Sequence, residues 1–285
     1  MNGTTEVVPD LAVRPSGSAT APSVGRMVCQ HWPEYLMEAA GLGLFMISAA
    51  AVTSLLEYPG SPFHQALPDP IARRVLIGLA MGLTAIGIIY SPWGKQSGAH
   101  LNPAVTLTFM RLGKVRPTDA AFYILAQFVG GWLGLALAAL VGGTYLADPA
   151  VNYVVTVPGD SGPIVAFAAE TVISCGLMLA VLTLSNHKTL ASWTGVCAGC
   201  LVALYISLEA PLSGMSMNPA RSLASAMVAH LFFSLWVYFV APLSGMLAAA
   251  ALFTWVHQAD EELACPKLHH ANRRRCIFCG KPGGA

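Results

Sequence analysis

The stretch "GMSMNPARS", Gly214 to Ser222, puts a proline and an arginine directly after an apolar run that reads as buried in lipid. Upstream, "GAHLNPAVT", Gly98 to Thr106, carries the same central tripeptide, Asn-Pro-Ala, without the arginine. Asparagine is among the strongest helix N-caps, and proline is favoured at the first helical position, where its missing N–H would be unpaired anyway. Asn102-Pro103-Ala104 and Asn218-Pro219-Ala220 therefore each predict a helix start. A capping Asn spends its side-chain oxygen on the helix, leaving an NH2 group with two donors for a lumen. The apolar stretches that follow, about 103–110 and 219–229, are too short to cross a bilayer, which takes about 20 residues. They predict re-entrant half-helices.

The rest of the chain has the composition of an all-α membrane protein. Its 285 residues are 55% hydrophobic and 10% charged, against about 25% charged in an average soluble domain. Six runs are long and apolar enough to span, roughly 35–56, 73–91, 120–143, 163–185, 193–211 and 231–257. A net charge of +1 leaves no electrostatic footprint for nucleic acid. Of the 15 Lys and Arg residues, all but Arg73, Arg74 and Arg221 fall on the side of the termini. That bias predicts a multi-pass cell-membrane protein with both termini cytoplasmic. Residues 1–34 open with a Pro/Gly/Ser/Thr-rich stretch and read as a disordered arm, and 258–285 read as a cytoplasmic tail outside the pore. No nucleophile, base or metal constellation in the spans supports an enzyme, and no cofactor is called for there.

The chain is also an internal repeat. Each half, about 35–143 and 163–257, runs Glu-bearing span, second span, Asn-Pro-Ala half-helix, third span. The carboxylates are Glu38 in "MEAAGLGLF" and Glu170 in "AAETVISCG". Three spans per half is an odd number, so the halves insert with opposite topology. Half-helices from opposite leaflets would bring their N-termini together, each carrying about half a positive charge. Such a meeting point repels cations and protons and passes neutral hydrogen-bonding molecules. Secondary transporters also use broken helices at inverted repeats, but the two Glu residues are the only evident groups for ion coupling. Arg221 is a fixed charge worth at least ~2.5 kcal/mol in hydrocarbon, so it predicts a polar lumen or an outer-surface salt bridge.

"SGAHLNPAVT" and "SGMSMNPARS", with "EAAG" in the first span, "AQFVGG" at Ala126 to Gly131 and "AE" in the fourth span, closely resemble the major intrinsic proteins, the aquaporins and glycerol facilitators. The likeness covers about residues 35–257. It implies an aquaporin-like right-handed bundle of six helices and two half-helices, one pore per subunit, and a homotetramer. It implies that Arg221 lines an outer constriction and that Glu38 and Glu170 accept hydrogen bonds from the loops leading into the half-helices. His100 matches a position near the inner mouth, either packed or gating. Ungapped counting gives Met215 and Ile206 as filter positions, and "LAMGLT" gives Met81.

Strict water channels place a histidine where Ile206 stands and an aromatic where Met81 stands. Their absence implies a relaxed, apolar filter tolerant of glycerol, urea, hydrogen peroxide or metalloid acids. Ser222, Ala226 and Tyr238-Phe239 resemble the aquaporin subgroup instead, and plant nodulin-type members share both features. Water is the first expected permeant, with a facilitator of small uncharged solutes as the alternative. In the tail, Cys265, Cys276 and Cys279 with His269, or its neighbour His270, have the ligand types of a tetrahedral zinc site. A redox pair or a disordered tail explains the same residues.

Overall fold

The computed structural model describes residues 23–257, 263–270 and 274–281. In chain order its principal helices are α1 Val24–Glu57, α2 Pro70–Tyr90, α3 Pro103–Arg111, α4 Pro117–Gly142, α5 Gly162–Asn186, α6 Thr194–Ser213, α7 Pro219–Ala229 and α8 Leu235–His257. Six of these are long and apolar enough to cross a membrane. The other two, α3 and α7, are the half-length helices that follow the Asn-Pro-Ala tripeptides. Four helices, α2, α3, α4 and α7, begin on a proline, where the lost N–H costs nothing. At α2 the preceding Asp69 side chain accepts from the N–H groups of Ile71 (3.0 Å) and Ala72 (3.3 Å).

Two boundaries differ from those expected from sequence. Residues 24–34, assigned to the arm, are the first turns of α1 and include Pro33. A proline inside a helix removes a hydrogen bond and disfavours the structure, but tertiary contacts hold this segment. His31 Nδ1 lies 2.7 Å from Asp119 Oδ1, the Tyr35 hydroxyl donates to the same oxygen at 2.7 Å, and Gln96 Nε2 donates to Glu34 at 3.0 Å. The remainder of the arm, residues 1–22, lies outside the described residues. The last span starts at Leu235 rather than 231, because His230 takes a left-handed conformation (φ +53°) that caps α7 and turns the chain.

The two halves are interleaved. Within each, the first and third spans pack together, α1 on α4 and α5 on α8, while α2 and α6 pack across the halves. Each half-helix lies against the third span of the other half, α3 on α8 and α7 on α4. Small residues permit these approaches. An added Cβ at Gly130 would sit 2.1 Å from the Ala39 carbonyl oxygen, and one at Gly134 would sit 2.4 Å from that of Gly43. The α2–α6 crossing repeats the device, with a Cβ at Gly82 falling 2.5 Å from the Gly199 carbonyl.

Overpacking a rigid contact costs about 1–3 kcal/mol, and backbone cannot move aside as a side chain can. Gly130→Leu is expected to lower the unfolding temperature in detergent, whereas Gly25→Leu, with no atom near its Cβ, leaves it unchanged. Thermal unfolding followed by tryptophan fluorescence measures both.

Candidate functional site

The N-termini of α3 and α7 meet, and their capping asparagines are linked reciprocally. Asn102 Oδ1 accepts from Ala104 N at 2.9 Å while its Nδ2 donates to the Met217 carbonyl at 2.6 Å. Asn218 Oδ1 accepts from the N–H groups of Ala220 (3.0 Å) and Arg221 (3.3 Å), and its Nδ2 donates to the Leu101 carbonyl at 2.7 Å. Each amide thus holds the residue that precedes the other asparagine. One of the two donors expected to face a lumen is spent on this link, so each asparagine keeps a single N–H for a solute.

The loops entering α3 and α7 are strained in register. Gly98, Ala99 and Leu101 have φ of +104°, +54° and +51°, and Gly214, Met215 and Met217 have +79°, +47° and +53°. Left-handed conformations at non-glycine residues cost of order 1–3 kcal/mol each and persist only where surroundings over-determine them. Here the surroundings are two fully buried carboxylates. Glu38 accepts from Ser97 Oγ (2.7 Å), His100 N (3.1 Å), Leu101 N (2.6 Å) and Gln127 Nε2 (2.9 Å). Glu170 accepts from Ser213 Oγ (2.8 Å), Ser216 N (2.6 Å) and Met217 N (2.7 Å). A tyrosine closes each turn, Tyr123 on the Ser97 carbonyl (2.7 Å) and Tyr238 on that of Ser213 (2.5 Å).

One cavity of about 540 Å³ runs past both asparagines. Glu57 and Arg74 line it toward the face away from the termini, and Leu177, Val181 and Leu268 line it toward the terminal face. Arg221, Met215, Ile206, Met81 and His100 all border it. Arg221 Nη1 has no hydrogen-bond partner among the described residues. Ser222 is buried and receives the Thr156 hydroxyl at 2.6 Å, with Ser216 Oγ also 2.6 Å away. His100 is packed: Nδ1 lies 3.1 Å from Thr106 Oγ1, and Nε2 lies 2.8 Å from the Pro266 carbonyl. A carbonyl only accepts, so the neutral ring carries its proton on Nε2.

The tail corrects two expectations. Leu268 is part of the cavity wall, so the tail reaches the cavity rather than lying outside it. Of the two histidines, His270 rather than His269 joins the cysteines: Cys265, His270, Cys276 and Cys279 present ligand atoms all within 4.8 Å of one another. The His269 ring instead lies 4.8 Å from that of Tyr90. The Cys265 and Cys276 sulfurs are 3.3 Å apart. A hydrogen bond from Cys265 pulls the Cys276 thiol down to about 4, with burial opposing, and holds the Cys265 thiol above its ordinary value.

Several buried polar residues lie outside the set of candidate site residues read from sequence. Glu34, Asp119 and Gln127 are fully buried, and Glu209, inside α6, is 7% exposed. A scan of the spans for acidic residues picks out Glu209. Gln127 gains its role only by lying beside Glu38 and Thr106.

The family model for the major intrinsic proteins matches residues 27–253, and the chain belongs to that family. A probable NIP-type aquaporin of Nicotiana alata is 35% identical over 189 residues, 66% of this chain and 67% of that one. Aquaporin NIP1-2 of Arabidopsis thaliana is 32% identical over 191 residues, 66% of this chain and 64% of the relative. The chain thus spans about two thirds of the length of these relatives. The aquaglyceroporin of Plasmodium falciparum superposes with a TM-score of 0.66 over 80% of this chain and 97% of its own, at 19% identity, which bears on the fold alone.

Removing a buried acceptor leaves its donors unsatisfied at about 1–3 kcal/mol each. Glu170→Ala, which orphans Ser216 N and Met217 N, is expected to lower the unfolding temperature much more than Glu170→Gln, which keeps one acceptor oxygen. Parallel thermal unfolding of the two variants tests this.

Proposed function

We propose that this major intrinsic protein is a passive channel for water and small uncharged solutes, with both termini cytoplasmic and a homotetrameric assembly. The observation that carries the proposal is the reciprocal Asn102–Asn218 link, set in a cavity bordered by residues near both faces of the bundle. Two half-helix N-termini supply partial positive charge at one point, and Arg221 adds a full one further along. Hydrated cations and protons meet a positive barrier with few acceptors, while a neutral molecule exchanges bulk hydrogen bonds for the remaining asparagine donors and the arginine. The Lys and Arg bias supports the orientation.

Selectivity follows from the wall. Met81, Ile206 and Met215 offer apolar surface to the cavity that Arg221 also lines, and methionine side chains reshape at small cost. This composition favours the second reading, a facilitator that passes glycerol-sized solutes as well as water. Ser222 stands where glycerol facilitators carry a carboxylate, and that difference favours water. Both readings use the same path and differ only in the width of the filter.

Proteoliposomes examined by stopped-flow light scattering decide between them. An impermeant osmolyte reports water, and a glycerol gradient reports solute entry. Ile206→His is expected to lower glycerol re-swelling while keeping water flux, because the ring narrows the filter and adds a polar group. Asn218→Asp sets a carboxylate against the Leu101 carbonyl and reverses the local charge. Its water flux is expected to fall about tenfold or more, about 1.4 kcal/mol of barrier. Water flux no greater than that of empty vesicles, in the wild type and in a chain ending at His257 alike, would reject the channel. Solute accumulation driven by an ion gradient would point to a transporter.

A further inference from the structure

The tail after α8 folds back on the terminal face and occupies the end of the cavity. Ala264 N donates to Asn186 Oδ1 at 2.6 Å, at the end of α5. The Pro266 carbonyl meets His100 Nε2 at 2.8 Å, and Leu268 N donates to the Gly98 carbonyl at 3.1 Å. Lys267, 3% exposed, donates to the carbonyls of Lys95 (3.2 Å), Gln96 (2.6 Å) and Arg275 (3.3 Å). The Phe278 ring lies 5.7 Å from that of His100 and 5.8 Å from that of Tyr123, and Arg275 Nε lies 3.5 Å from Glu34. The contacts to Lys95, Gln96, Gly98 and His100 fall on the segment that leads into α3, and Leu268 forms part of the cavity wall.

Among the described tail residues only Pro266, Lys267, Leu268 and Cys276 are buried, too few for a core of their own. What draws it together is the cluster of Cys265, His270, Cys276 and Cys279. Cys276 and Cys279 lie on a turn closed by Cys276 N on the Lys281 carbonyl at 3.0 Å, with Gly280 at φ +69°. Cys279 Sγ is 3.5 Å from His270 Nε2, and Cys265 Sγ is 3.3 Å from Cys276 Sγ. Tetrahedral zinc with Zn–S of about 2.3 Å and Zn–N of about 2.0–2.1 Å places its ligand atoms roughly 3.5–3.8 Å from one another. Two of the six pairs are already near that spacing, and all six lie within 4.8 Å. Three soft sulfur ligands and one imidazole, two of the sulfurs on a closed turn, match zinc better than a hard, oxygen-seeking cation.

We infer that Cys265, His270, Cys276 and Cys279 bind one Zn2+, and that the metal locks the tail into the end of the pore as a plug. In small Cys/His sites, metal binding supplies folding free energy directly. Bound zinc therefore holds Pro266–Leu268 against Gly98 and His100, and loss of zinc frees the mouth. The plug rests on the channel reading proposed above. The metal site does not.

The full-length protein in liposomes tests both parts. Metal analysis is expected to give one Zn2+ per chain for the wild type and for His269→Ala, and none for His270→Ala or Cys276→Ser. Chelation should raise amide exchange across residues 263–281 and raise water permeability several-fold, to the level of a chain ending at His257. A wild type without stoichiometric zinc after exposure to Zn2+, or one whose intact mass shows a Cys265–Cys276 disulfide instead, overturns the metal site. Zinc bound without any effect of chelation on exchange or on flux overturns the plug. Should the chain ending at His257 pass neither water nor glycerol, the channel reading fails, while metal content and exchange still decide the zinc site.

Discussion

Two side-chain amides, each donating to a backbone carbonyl of the opposite loop, close the molecule on itself at the depth where irregular backbone is hardest to keep. Away from water, every N–H and C=O of the two re-entrant loops needs a partner inside the protein. Asn102 and Asn218 meet that need twice over, capping their own helices with oxygen and bracing the other half's loop with nitrogen. The reciprocal bonds are the direct tie between the half-helix ends, and that tie gives the positive focus they create its place.

The rest of the bundle serves that junction. Glu38 and Glu170 gather the loop N–H groups that the left-handed residues leave pointing inward, and Tyr123 and Tyr238 take up the carbonyls of the same turns. Burying carboxylates so completely is tolerable only because each is ringed by donors. The glycine crossings bring helix backbones near enough for both half-helices to reach the centre, each resting on the third span of the opposite half. Symmetry here is functional economy, with one solution for a strained loop used twice. The halves part company in what borders the cavity. Arg221 stands after the second tripeptide alone, and His100, braced by the tail, stands before the first.

The sequence by itself determined the spans, the helix starts at Asn-Pro, the inverted repeat and the family, because each depends on local chemistry. Apolar length, the capping preference of asparagine and the fixed φ of proline act over a few residues and need no partner to be read. It did not determine that residues 24–34 are helical, since Pro33 argues against it locally and contacts far along the chain, from Asp119, Gln96 and Arg275, outweigh that preference. Nor did it show that one donor of each asparagine is committed across the halves, or that Gln127 belongs with Glu38. Tertiary structure alone decided which histidine joins the tail cysteines and that Leu268 reaches the cavity. His269 and His270 are equivalent as sequence and differ only in the direction each faces once the tail has folded onto the loop before α3. Contacts between residues distant in the chain carry no local signature, and here such contacts tie the two asparagines together and set the tail against the cavity.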